Sequence, residues 1–121
     1  MAKVNGPILA RAIRAASCSE IIRARVGAVV FTDTGNILTH ACNCRLYGHK
    51  TLTIHAERSA LAKIVKIRAR ERYGSINMLV VRVRANGTLS CAKPCQECEY
   101  YLREAGIKVW YTDNNGEVQR L

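Results

Sequence analysis

Apolar positions along the chain alternate between a helical and a strand-like period, and the changes of period mark its elements. Ile8, Leu9, Ala12, Ile13 and Ala16 recur at helical spacing, with Arg11 and Arg14 on the other side. Pro7 suits the first position of a helix, where no amide donor is needed, so a helix is predicted over residues 7–17. Its apolar stripe requires a cover, for which a sheet face is the natural candidate. Residues 26–31, Val-Gly-Ala-Val-Val-Phe, form a short β-branched run and read as a strand. Asp33-Thr34-Gly35-Asn36 supplies turn chemistry, and residues 37–41 return as a second strand, which makes an antiparallel hairpin at the edge of a sheet. Residues 43–50 read as an irregular loop carrying His49.

Thr53 is the expected N-cap of a second helix with Ala56, Ala60, Leu61, Ile64 and Val65 as its buried stripe. Arg58, Lys63, Lys66 and Arg70 fall largely off that stripe and make a basic outer face. Residues 76–83 are almost continuously apolar, as in a central strand covered on both faces. After a break at Asn86-Gly87, Pro94 is expected to begin a third helix, packed through Tyr101, Leu102 and Ala105 and ended by Gly106. Residues 107–111 give a fourth strand. The turn Asp113-Asn114-Asn115-Gly116 leaves too few residues for a parallel crossover, so any fifth strand over 117–121 must run antiparallel. The order α-β-β-α-β-α-β-β predicts one α/β domain over residues 1–121, with three layers (α/β/α) and a mixed sheet of about five strands.

Composition narrows this picture little, and charge changes it more. The 121 residues suffice for one core, and no run approaches the roughly 18 apolar residues of a membrane span. Arg11 and Arg14 interrupt the N-terminal apolar positions, so no secretory signal is expected; a cytoplasmic location with reduced thiols follows from that reading. Cys18, Cys42, Cys44 and Cys91 are then expected to pack as small apolar side chains, a second metal site at Cys42 and Cys44 being the alternative. The 19 Lys+Arg against 9 Asp+Glu give a formal net charge of +10, a field that attracts polyanions and phosphorylated substrates without choosing among them.

Two short clusters carry the chemistry: Thr53-Ile54-His55-Ala56-Glu57 and Lys93-Pro94-Cys95-Gln96-Glu97-Cys98. One imidazole and two thiols make three ligands for Zn2+ and leave a fourth tetrahedral position for water, whereas a structural site normally fills it with a fourth residue. Cys95 and Cys98, three apart, project from one side of a helical turn whose N-terminus favours thiolates. Glu57, two residues beyond His55, is the candidate catalytic proton carrier. Zinc would bring the pKa of its water towards roughly 7, and Glu57 could pass that proton to a ring nitrogen and then to departing ammonia. Deamination of an amidine-like carbon, as in cytosine or adenine, requires these transfers.

The pairing of His55-Ala56-Glu57 with Pro94-Cys95-Gln96-Glu97-Cys98 resembles the signature of the cytidine and deoxycytidylate deaminase superfamily of zinc-dependent nucleobase deaminases. The resemblance covers nearly the whole chain, with residues 26–30 similar to the family's first strand and 106–109 to the strand after its cysteine helix. It implies that His55, Cys95 and Cys98 bind zinc and that Glu57 is the proton shuttle. It further implies that Asn43 contacts the substrate sugar, an Asx-turn being the alternative for that residue. Ala56 and His49 complete the candidate substrate-binding set. Many free-cytidine deaminases carry cysteine where this chain has His55, which favours the nucleotide and polynucleotide branches. The antiparallel return after Gly116 is more similar to the nucleoside branch.

The expected reaction is therefore hydrolytic deamination of cytidine, deoxycytidine or a monophosphate to the uracil form, with a basic residue at the mouth meeting any 5′-phosphate. Two alternatives stand beside it: a polynucleotide cytosine or adenine deaminase, and a basic nucleic-acid-binding module in which zinc is structural. The expected partners are a small cytosine nucleoside or nucleotide and further copies of the chain in a homo-oligomer. Nucleic acid on the basic surface belongs to the alternatives, and no membrane is expected.

Overall fold

A computed structural model describes residues 4–45, 53–66 and 69–121. Helix α1 spans Gly6–Ser17; Asn5 caps it, its Oδ1 accepting from the Ile8 amide at 2.9 Å. A single 3₁₀ turn at Ile22–Ala24 leads into β1 (Arg25–Thr32), and β2 (Ile37–Cys42) returns antiparallel to it. Gly35 makes that return possible, because its φ of +92° is a conformation that side-chain-bearing residues resist. The short strands β3 (Cys44–Arg45) and β4 (Thr53–Ile54) pair antiparallel. Then follow α2 (Ala56–Lys66), α3 (Ala69–Tyr73), β5 (Ile76–Val83), β6 (Leu89–Ser90), α4 (Gln96–Glu104), β7 (Lys108–Thr112) and β8 (Val118–Arg120).

Among the described residues the main sheet has six strands, in the order β2-β1-β5-β7-β8 with β6 added to the end of β5. Among the described residues only β5 and β7 run parallel; the other pairs, including β7 with β8, are antiparallel. The hairpin lies at one margin as expected, with β2 the outer strand and β1 already internal.

Two cores on opposite faces of the sheet make the three layers. Against α1, Ile8, Ala12 and Ala16 meet Val29, Phe31, Leu79 and Val81. Against α2 and α4, Ala56, Ala60, Ile64 and Leu102 meet Ala28, Val30, Met78, Val80 and Val109. Alternate residues of β1 and β5 therefore serve opposite faces, and both strands read as continuous apolar runs for that reason. Gly27 lets α1 approach closely: a Cβ there would collide with the Ala12 carbonyl and lie 2.5 Å from the Ala16 nitrogen.

Several expectations need correction. Thr53 does not cap α2; its backbone pairs with Arg45 in the β3–β4 ladder, and the helix begins at Ala56. Pro94 does not start α4 either, since Cys95 is the N-cap and the helix begins one residue later. Val65 is 71% exposed, because a stripe of Ala56, Ala60 and Ile64 is narrow and the next residue turns away from the sheet. The residues after Asn43 are not wholly irregular, as Cys44 and Arg45 form β3. Cys18 is exposed, and Cys42, Cys44 and Cys91 are only half-buried. Among the described residues no helix is long and apolar enough to cross a membrane.

Candidate active site

The sheet register decides which chain ends meet. At the start of β1, Val26 lies beside Arg82 near the end of β5, and Gly27 lies beside Cys42 at the end of β2. The connections leaving β2 and β5 therefore emerge at one end of the sheet, and these lead to the N-termini of α2 and α4. His55 precedes the first residue of α2, its carbonyl accepting from the Ser59 amide at 3.0 Å, and Glu57 is the second residue of that helix. Cys95 caps α4, its Sγ accepting from the Cys98 amide at 3.5 Å, and Cys98 is the third residue of that helix.

These elements bring three donors together. His55 Nδ1 lies 3.3 Å from Cys98 Sγ and 3.7 Å from Cys95 Sγ. All three donor atoms fall within 4.8 Å of one another, and among the described residues they are the one such cluster of His, Cys, Asp or Glu. Ligands at zinc bond lengths on a tetrahedron stand roughly 3.3–3.8 Å apart, so the observed separations suit one Zn2+ ion. The chemistry of the set agrees. Burial raises the proton affinity of the Cys98 thiol well above the ordinary range, and the neighbouring Glu57 carboxylate and Cys95 add to the shift. Two thiolates beside a carboxylate would repel one another without a cation between them.

Glu57 is 5% exposed although it carries a carboxyl group. Burial raises its pKa, opposed by a backbone hydrogen bond, the charge of His55 and a hydrogen bond with Cys98. Around it opens a cavity of about 300 Å³ lined by Ile21, Ala24, Val26, Asn43, His55, Ala56, Glu57, Arg82, Cys91, Ala92, Lys93 and Cys95.

Of the residues expected at the site, His55, Ala56, Glu57, Asn43 and Cys95 line this cavity, and Cys98 lies behind them in the donor cluster. His49 lies outside the described residues. Asn43 is no simple Asx-turn. Its Oδ1 accepts from Ser19 Oγ at 2.6 Å and from the Val26 amide at 3.0 Å, and its Nδ2 donates to the Ala24 carbonyl at 2.6 Å. Nδ2 has a second hydrogen, for which no acceptor is found among the described residues.

Sequence reading assigned no place in the cavity wall to Arg82 or Lys93, both of which line it. The signal for Arg82 was present, since it is the single charged residue in the apolar run 76–83. Of the expected basic helix face, Arg58 is engaged with α4: its guanidinium lies 3.3 Å from Glu97 and 4.1 Å from the centre of the Tyr101 ring. Lys63 donates to the His40 carbonyl at 2.6 Å.

Residues 5–113 match the family model described as the cytidine and deoxycytidylate deaminase zinc-binding region. Among solved structures the chain is similar to the cytidine deaminase from Burkholderia pseudomallei, at 22% identity and a TM-score of 0.73, covering 98% of this chain and 92% of that one. It is also similar to the dCMP deaminase from the cyanophage S-TIM5, at 23% identity and a TM-score of 0.59, with 91% and 86% covered. The cytidine deaminase from Mycobacterium tuberculosis matches at 20% identity and a TM-score of 0.61, with 98% and 91% covered. A search of curated protein sequences finds no significant match.

Proposed function

The chain belongs to the cytidine and deoxycytidylate deaminase family, and from that premise we propose that it hydrolyses the exocyclic amine of a free cytosine nucleoside or nucleotide. The observation that carries this reading is the donor triangle of His55, Cys95 and Cys98 with the buried Glu57 beside it, at the wall of a cavity of about 300 Å³. Such a volume is at the small end of the roughly 300–1,000 Å³ of small-molecule sites.

His55 Nδ1 and the sulfurs of Cys95 and Cys98 would hold Zn2+. When bound, the ion acts as a Lewis acid that makes water nucleophilic near neutral pH. Glu57 moves the protons. Burial strengthens its hold on a proton, as a group that must both accept and donate requires. In the reaction water adds to C4 of the base, N3 gains a proton, and the bond from C4 to the amino nitrogen breaks. Glu57 takes the proton from water, passes it to N3 and delivers the second proton to the leaving amine, so the uracil form of the nucleoside or nucleotide and ammonia are the products. Asn43 positions the sugar with its remaining amide hydrogen, while Ala56 packs at the cavity wall. The same reading includes a homo-oligomer, for which the exposed Val65 and Tyr100 offer apolar surface; sedimentation measures it.

The test is ammonia release by zinc-loaded protein from cytidine, deoxycytidine, their monophosphates and single-stranded oligonucleotides containing cytosine or adenine. Turnover of any free nucleoside or nucleotide supports the proposal. Turnover of oligonucleotides alone selects the polynucleotide reading, and no turnover with zinc retained selects a structural zinc module.

A further inference from the structure

Resting on the deamination reading, we propose that Arg82 and Lys93 form a two-cation clamp for the 5′-phosphate, so that the nucleoside monophosphate is the preferred substrate. Both residues line the same cavity as His55 and Glu57. Glu57 is buried, whereas Arg82 and Lys93 are exposed, so the two cations stand at the solvent side of a pocket with its carboxylate inside. Glu57 is the one carboxylate among the residues lining the cavity. Elsewhere on the surface Arg58, Arg103 and Lys108 each have a carboxylate partner. Among the described residues, Arg82 and Lys93 have no ion pair.

The fold holds both in place. In β5, Met78 and Val80 belong to the core beneath α2 and α4, and Arg82 continues that face by strand alternation. It is flanked on one side by Val26 and on the other by Ser90. Lys93 precedes Pro94, which restricts its backbone to extended conformations. The Ala92 amide donates to the Thr112 carbonyl at 2.8 Å, and the Cys91 amide to Asn114 Oδ1 at 3.3 Å. The segment carrying Lys93 is thus tied to the end of β7 and the turn after it.

Charge selects the ligand. A terminal phosphate monoester carries roughly −1.5 to −2 at pH 7, which two cations match, whereas each internal phosphate of a polynucleotide carries a single charge. The guanidinium offers a two-pronged grip on phosphate oxygens and the ammonium a compact point charge.

The experiment compares kcat/KM of zinc-loaded protein for cytidine, CMP, deoxycytidine, dCMP and a cytosine-containing single-stranded oligonucleotide. Arg82→Gln and Lys93→Gln are measured alongside, with Arg82→Lys as the conservative variant and thermal melting to verify folding. The clamp predicts a preference for the monophosphates. Each Gln variant lowers the ratio of monophosphate to nucleoside kcat/KM by roughly ten- to hundredfold, chiefly through KM, and Arg82→Lys recovers part of it. Equal or better turnover of nucleosides, equal losses on both substrates, or a preference for the oligonucleotide overturns the clamp. Should none of these compounds be deaminated, the deamination reading fails, and calorimetry of dCMP and deoxycytidine still decides the clamp. Binding of dCMP that weakens in the Gln variants keeps it, and absent or unaltered binding rejects it.

Discussion

His55 Nδ1 lies 3.3 Å from Cys98 Sγ although 43 residues separate them in the chain. Neither α4, which carries Cys98, nor α2, which His55 immediately precedes, makes this contact by itself. It follows from β1 pairing antiparallel with both β2 and β5, which delivers the connections to α2 and α4 at one end of the sheet.

The metal can be tested directly. Elemental analysis is expected to give about one zinc per chain, as three converging ligands imply. Cys98→Ser should lower that content sharply and reduce the melting temperature, while Cys18→Ser, an exposed position outside the cluster, should alter neither. Undiminished zinc in Cys98→Ser would refute the ligand assignment.

Glu57→Gln keeps the size of the side chain and removes its proton-accepting charge. Zinc content and fold are expected to persist, with kcat lower by about 10²–10⁴-fold or more, since one group serves several proton transfers. Near-normal turnover would reject the shuttle role, and loss of zinc would make Glu57 part of the metal site.

Asn43→Ala leaves the Val26 amide and the Ala24 carbonyl without their side-chain partner, while Ser19 Oγ keeps the backbone carbonyl of residue 43 as its acceptor at 3.0 Å. A loss of roughly 2–4 kcal/mol in unfolding free energy is expected from denaturant titration. An increase in KM accompanies it if the remaining amide hydrogen contacts the sugar. A variant as stable as the parent would contradict the bracing role assigned to this amide.

The turn between β7 and β8 predicts a pH dependence. Asp113 accepts from the Gln119 side chain and from the amides of Asn115 and Glu117, each at 2.9 Å. These bonds, with that of Gln119 foremost, hold its pKa below the ordinary carboxylate range. A carboxylate depressed in the folded state stabilises it above the unfolded pKa, and that contribution is lost as pH falls through the depressed value. Asp113→Asn should therefore melt below the parent at pH 6, with the difference shrinking as pH drops through that range. Subtracting the two proteins at each pH removes the common effect of ligand protonation. A difference independent of pH would show that the charge has no part in the turn.

What the sequence determined by itself was whatever neighbours in the chain can specify. Apolar spacing marked α1, β1, β2, β5 and β7, and the four turn residues 113–116 required β8 to return antiparallel, as it does. The two clusters announced their donor set because ligand type and spacing are local chemistry. Tertiary structure decided everything that depends on which segments pair. The β3–β4 ladder placed the start of α2 beyond Thr53, and packing on the sheet left only the narrow stripe of α2 covered and Val65 in solvent. Asn43 found partners 17 to 24 residues away, and strand register put Arg82 into a cavity wall. Hydrogen-bond partners and cavity linings are supplied by elements distant in the chain, so no local pattern of apolar and polar residues encodes them.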